Sequence, residues 1–202
     1  MKYLAIDIGN VICHMKFDAF LQELAIVMHC SKSRAFDLMY RIQKVQDLGI
    51  LSIREELAET LSPEIIDLVV EKWNKTLIVN EFIQNALLDL LSQNVQIALL
   101  SNIGTEHAGV IRSIISPQIF DNCIKFFSCD VGARKPSYLY YKTFLDMYPS
   151  FNGCVYVDDR PENIETGINF GLQGCLFDLE TFKSKEDMHE MFEAIELLTL
   201  KN

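Results

Sequence analysis

Short apolar runs that each stop on a polar side chain recur along this chain, separated by stretches with helical periodicity. Tyr3-Leu4-Ala5-Ile6 runs into Asp7, Val95-Gln96-Ile97-Ala98-Leu99-Leu100 into Ser101, and Cys154-Val155-Tyr156-Val157 into Asp158-Asp159. Lys125-Phe126-Phe127-Ser128 and Gly174-Cys175-Leu176-Phe177 read as two further short strands. Runs this apolar suit strands covered on both faces. Helical spacing fills the intervals: from Phe82 through Leu91, from Glu106 to Ile115, from Pro136 to about Met147, from Pro161 to Phe170, and from Glu186 to Leu198. Alternating strands and helices predict an α/β fold, a Rossmann-like parallel sheet with helices on both faces. Ligands of such sheets bind beyond the carboxyl ends of the strands.

The interval after the first strand has a different rhythm. Residues 17–76 show no strand pattern, and apolar positions fall at helical spacing: Phe17, Phe20, Leu21, Leu24 and Ala25, then Ala35, Leu38, Met39 and Ile42. Gly49 breaks the pattern. Ser52 with Glu55 three residues on resembles a capping box, and Ser62-Pro63 is a second start signal with proline at the first helical position. The expectation is four packed helices and no strand pair.

Composition narrows the function. With 202 residues, half of them hydrophobic, the chain can bury one good core and carry a small insertion. The net charge of −10 leaves no basic footprint for nucleic acid and argues against acidic membrane surfaces. No apolar stretch approaches the ~20 residues of a membrane span. Met1-Lys2 leads straight into the first strand, so no signal peptide is expected and the expected location is cytoplasmic. Cys13, Cys30, Cys123, Cys129, Cys154 and Cys175 are scattered without a C-x-x-C pair, as reduced core residues would be. A monomer is the working expectation, although the sequence does not read out an oligomeric state.

Four polar signals fall at or after strand ends: Asp7, Ser101-Asn102, Arg134-Lys135-Pro136 and Asp158-Asp159. Taken singly, each is an ordinary turn, cap or surface feature. Together on one edge of a sheet they make an acidic pocket, and close carboxylates do not all stay ionised without a cation.

In that order the signals resemble the haloacid dehalogenase superfamily of phosphohydrolases. Asp7-Ile8-Gly9-Asn10-Val11 is similar to its first motif, Leu99-Leu100-Ser101-Asn102 to its second, Val131-Gly132-Ala133-Arg134-Lys135-Pro136 to its third, and Val157-Asp158-Asp159-Arg160-Pro161-Glu162-Asn163-Ile164 to its fourth. The D-I-G-N-V version resembles the branch containing bacterial glucose-1-phosphate phosphatases most, and the phosphatase domain of soluble epoxide hydrolase less. The resemblance implies a catalytic core over residues 1–13 and 79–202, with a small all-helical cap over 14–78 inserted after the first strand. It implies a magnesium-dependent phosphatase for a small soluble phosphate monoester, such as a sugar phosphate, working through an aspartyl phosphate. Asp7 would be the nucleophile. Asp7, the Gly9 carbonyl and Asp159 would hold Mg2+, with Asp158 supporting through a water. Ser101, Asn102 and Lys135 would bind the phosphoryl group, and Ser101 and Lys135 would act in catalysis with Asp7.

One position departs from the family pattern. The first motif usually carries a second aspartate as acid and base, and here that position is Gly9. General acid–base catalysis contributes roughly 10²- to 10⁴-fold, so rates are expected to depend steeply on leaving-group acidity. His14 is the nearest substitute in sequence, and His107 is expected to be structural. Dehalogenation of 2-halo acids, which needs no metal, and a non-catalytic binding or regulatory domain are the alternatives. Cap residues Lys16, Lys32, Arg34, Arg41, Lys44 and Arg54 are candidate substrate contacts, although a solvated helix position is the first reading of each.

Overall fold

The computed structural model describes residues 2–177, so the helix expected from Glu186 to Leu198 lies outside the described residues. The main sheet holds β1 (Lys2–Ile6), β4 (Val95–Ser101), β5 (Ile124–Phe127), β6 (Val155–Asp158) and β7 (Gln173–Leu176). All pairings are parallel and the order is β5-β4-β1-β6-β7. β1 pairs with β4 from Lys2 opposite Val95 to Ile6 opposite Leu99, despite the intervening insertion. The chain winds outward from β1 first to one side and then to the other, so β1 lies at the switch in winding direction where such sheets place ligands.

Helices α5 (Glu81–Ser92), α6 (Thr105–Ile114) and α7 (Pro117–Asn122) cover one face, packing Ile83, Leu87, Ile111 and Ile119 on Leu4, Ile6, Ile97 and Leu99. Helices α9 (Tyr138–Met147) and α10 (Pro161–Asn169) cover the other, packing Tyr140, Tyr141, Phe144 and Ile164 on Ala5, Ala98, Leu100 and Tyr156. Each large apolar side chain buried this way contributes about 1.5–3 kcal/mol. Pro136 was expected to open α9. Instead Ser137 caps that helix by accepting from Tyr140 N, which leaves Lys135 and Pro136 in the preceding loop. A single turn, α8 (Ser128–Val131), follows β5.

The insertion carries α1 (Phe17–Val27), α2 (Lys32–Gln46), α3 (Ile53–Leu57) and α4 (Pro63–Asn74) around their own core of Phe20, Leu24, Met39, Ile42, Val69 and Trp73. The Ser52–Glu55 capping box forms as expected. Residues 17–76 hold no strand, as expected, but the two ends of the insertion pair with each other, which corrects the expectation of no strand pair. β2 (Cys13–Met15) and β3 (Leu77–Val79) form a two-stranded antiparallel ribbon where the chain enters and leaves the insertion. Each strand has three residues, too few for a period of two to emerge from the sequence. Gly49 stands at a close approach of the insertion to the core. With φ +67°, a β-carbon there would lie 2.2 Å from the Cys129 carbonyl oxygen.

Candidate active site

Adjacent strand ends deliver the polar groups. Asp7 follows β1 and donates its N–H to Val157 O at 2.9 Å. The β1–β6 register, with Ile6 opposite Val157, brings Asp7 and Asp158 off neighbouring strands at one level. Ser101 ends β4 on the other side. Lys135, 2% exposed, reaches into this corner from the loop before α9. Its Nζ lies 3.0 Å from Asp7 Oδ1 and 2.6 Å from Asp158 Oδ2, and donates to Leu100 O at 2.7 Å. Those contacts use all three ammonium hydrogens. Burial alone would lower the Lys135 pKa, but Asp7 and Asp158 outweigh it and raise it above the ordinary value.

The three carboxylates differ in their surroundings. Asp158 is saturated: Oδ2 accepts from Lys135 and from Tyr156 Oη, each at 2.6 Å, and Oδ1 accepts from Arg160 N at 2.9 Å and Asn163 Nδ2 at 2.8 Å. Burial opposes its charge, and Lys135 with these donors holds it below the usual carboxylate range. Asp7 accepts from Ile8 N on the oxygen that faces Lys135. Burial pushes its pKa up to about 7 against the pull of Lys135, and Asp158 and Asp159 add to the rise. Burial also raises Asp159, whose Oδ2 accepts from Asn10 Nδ2 at 3.0 Å.

Oxygen atoms of Asp7, Asp158 and Asp159 all lie within 4.8 Å of one another, a cluster able to hold a divalent metal. The donor set fits a hard cation. Among the described residues, no hydrogen bond engages Asp7 Oδ2, Asp159 Oδ1 or the Gly9 carbonyl. Two carboxylates whose charge is disfavoured, beside an uncommitted carbonyl, form an all-oxygen site of the kind magnesium takes.

Asp7, Gly9, Asn10, Ser101, Asn102, Lys135 and Asp159 line one cavity of about 190 Å³. Asp158 does not line it and sits fully buried behind Lys135. Asn102 reaches the cavity wall, yet its amide clamps the neighbouring loop, donating to Lys135 O at 2.8 Å and accepting from Lys135 N at 2.7 Å. That clamp fixes where the Lys135 side chain starts. The basic residues named as candidate substrate contacts do not reach the cavity and are solvated, the first reading of each. Lys16, Lys32, Arg34, Arg41, Lys44 and Arg54 are exposed on the outside of the insertion, and Gln43, Gln46, Asp47 and Trp73 line the cavity instead. A charge on an exposed helix face is solvated wherever the helix docks, so sequence alone does not separate the two cases.

His14 is exposed on β2, opposite Ile78, and outside the cavity. His107, on α6, is buried with Nε2 at 2.9 Å from Trp73 O and its ring stacked on Trp73 at 4.3 Å between centroids. Burial lowers its pKa to about 4, so near neutral pH it carries no charge. Arg134 pairs with Asp47 at 3.0 Å across the junction of core and insertion. Gln46 Oε1, Trp73 Nε1, Arg134 Nε and Asn163 Oδ1 are buried without partners, and all four residues line the cavity. An unmet buried polar group costs about 1–3 kcal/mol, so this wall suits a polar ligand. Two residues escaped the sequence reading. Asn10 steadies Asp159, and its left-handed φ of 54° is a conformation asparagine tolerates. Asp47 lies at the C-terminal cap of α2, where the helix dipole disfavours an acid; that mismatch was the available signal.

No protein-family model matches the sequence, and no curated protein matches it. Solved structures do. The haloacid dehalogenase family enzyme BT-2542 from Bacteroides thetaiotaomicron, in complex with magnesium and inorganic phosphate, superposes with a TM-score of 0.74 at 18% identity, covering 88% of this chain and 94% of that one. A haloacid dehalogenase phosphatase from Thermococcus onnurineus gives 0.62 at 15% identity over 88% and 86%. L-2-haloacid dehalogenase from Xanthobacter autotrophicus, with chloropropionic acid covalently bound, gives 0.59 at 14% identity over 96% and 88%. This chain has the haloacid dehalogenase fold: a parallel Rossmann-like sheet with a helical insertion after its first strand.

Proposed function

We propose that this protein is a magnesium-dependent phosphatase acting on a small phosphate monoester. The observation that carries the reading is the trio of Asp7, Asp158 and Asp159 within 4.8 Å, sealed on one side by buried Lys135. Asp7, the Gly9 carbonyl and Asp159 would hold the magnesium ion, which when bound offsets negative charge on the phosphate and favours ionised Asp7. Asp7 attacks phosphorus in line, and the ester oxygen leaves from the opposite side. Lys135 holds the Asp7 carboxylate in place and offsets charge on the transferring group, while Asp158 fixes Lys135. Ser101 donates its hydroxyl to a phosphoryl oxygen, and Asn102 positions Lys135 through its backbone. Water then cleaves the aspartyl phosphate. The cavity of about 190 Å³ has room for a small ester. Its unpaired polar wall favours a leaving group rich in hydroxyls, consistent with the glucose-1-phosphate phosphatase-like branch.

BT-2542 was crystallised with magnesium and inorganic phosphate, which adds support by analogy of fold. The dehalogenase reading gives the three crowded carboxylates no metal ion beside Lys135, and a chelator separates the two. Hydrolysis of a chromogenic aryl phosphate and of a panel of metabolite phosphates, with magnesium and with chelator, tests the proposal. We expect magnesium-dependent turnover and at least a 10³-fold loss in Asp7→Asn, the scale of removing a group from the catalytic machinery. Activity of Asp7→Asn within tenfold of wild type, or turnover indifferent to chelator, rejects it.

A further inference from the structure

We propose that Asp47, carried by the helical insertion, is the acid and base of this reaction, in place of the carboxylate that Gly9 lacks; the proposal rests on the phosphatase reading. In-line displacement puts the leaving oxygen on the side of phosphorus away from Asp7. Asp7 lies at the strand ends, which form the floor of the cavity, and the insertion forms its roof. Met15, Gln43, Gln46, Asp47, Trp73 and Leu77 are the roof residues that line it, and Asp47 alone among them titrates. Neither histidine competes. His14 lies outside the cavity, and His107 has its Nε2 against the Trp73 carbonyl.

The setting of Asp47 is unusual for a carboxylate. It caps the C-terminal end of α2, against the helix dipole, and is only 7% exposed. Arg134 lies 3.0 Å from Oδ2, and no hydrogen bond among the described residues engages Oδ1. Arg134, Arg160 and Lys135 face it with positive charge, and the Cys129 thiol lies nearby. Burial outweighs those cations and pushes its pKa up to about 6, where it can both give and take a proton. A purely structural ion pair does not need a cavity, yet both partners of this one line it.

The steps balance. Asp7 forms a bond to phosphorus as the bond to the ester oxygen breaks, and the leaving oxygen takes the proton of the Asp47 carboxyl, giving an alcohol and an Asp47 carboxylate. Asp47 then takes a proton from water as the water oxygen bonds to phosphorus. The acyl phosphate bond breaks, restoring the Asp7 carboxylate, releasing inorganic phosphate and returning Asp47 to its acid form. With this group present, the steep dependence on leaving-group acidity expected from Gly9 no longer follows.

The test is rapid-quench kinetics on the full chain with magnesium, using a series from 4-nitrophenyl phosphate to alkyl phosphates, for wild type and Asp47→Asn. Wild type should show a shallow dependence of the first step on leaving-group acidity. Its rate on alkyl phosphates should fall as pH rises through 6 to 7, because the acid form is consumed there. In Asp47→Asn the first step with 4-nitrophenyl phosphate should stay within about threefold, and that with alkyl phosphates should fall about 10²- to 10⁴-fold. The alkaline limb should vanish, and a burst should appear as water attack slows. An equal loss on aryl and alkyl esters would mean that Asp47 only holds Arg134 and would overturn the proposal. A steep series in wild type would overturn it without any variant. Wild type inert toward every ester refutes the phosphatase reading and this proposal with it, whereas an active wild type with an unresponsive Asp47→Asn refutes this proposal alone.

Discussion

Replacing Asp7 with asparagine should abolish activity and, in the absence of metal, stabilise the protein at neutral and higher pH. Burial, opposed by Lys135 and aided by Asp158 and Asp159, moves the Asp7 carboxyl from its ordinary 3.8 to about 7. At about 1.4 kcal/mol per pH unit, ionising it in the fold costs roughly 4 kcal/mol. Asparagine removes that cost and keeps an oxygen for the Ile8 N–H, but it breaks the ion pair with buried Lys135. The pull of Lys135 is already contained in that pKa, so a net gain approaching roughly 4 kcal/mol at pH 8 is expected. The pH dependence is the sharper signature. A carboxyl whose folded pKa is raised binds its proton more tightly in the folded state. It therefore contributes stability that is present below pH 3.8 and is lost as pH rises through about 7. Wild type should lose stability relative to Asp7→Asn between these values and run parallel to it above. Urea denaturation at a series of pH values between 4.5 and 8, with chelator, measures this through circular dichroism and the fluorescence of Trp73, the lone tryptophan. Magnesium should then narrow the gap, stabilising wild type by about 2.7 kcal/mol at one hundred times its dissociation constant. A stability difference that does not vary with pH, or an Asp7→Asn protein that is the weaker of the two at pH 8 without metal, refutes the reasoning.

Asp159→Asn should weaken magnesium binding more than Asp158→Asn while leaving the fold nearly unchanged, whereas Asp158→Asn should cost about 3–5 kcal/mol of stability by stranding buried Lys135; calorimetric magnesium titrations beside urea melts separate the two effects, and equal affinities would contradict the assignment. Gly9→Asp is sterically open, since its β-carbon meets nothing within 4 Å and its φ is not left-handed. It should change alkyl phosphate turnover less than tenfold in wild type and restore it about 10²-fold or more in an Asp47→Asn background, and failure of that rescue with the double variant folded would count against a missing acid.

The legible part of this site is the part fixed by local pattern. An apolar run that stops on Asp7, Ser101 or Asp158 marks a strand end, and parallel pairing then brings those ends together without further information. The saturation of Asp158 was half legible. Tyr156 lies two residues before it, so a strand's period of two puts both on one face, and the Tyr156 hydroxyl does donate to Asp158. That Lys135 and Asn163 complete the shell depends on loops whose course no periodicity describes. Asp47 lay further from reach, because its role depends on how α2 docks over the core rather than on anything within α2. The docking is set by close approaches such as Gly49 against Cys129 and Gln46 against Gly104. The sequence showed only an acid at the wrong end of a helix. An acid there is tolerated if something compensates, and the compensation here comes from Arg134, more than eighty residues on. Sequence positions that defy a local rule and face a cavity in the folded chain are therefore where chemistry is sought first, and among the described residues Asp47 is such a position that the strand-end motif does not already explain.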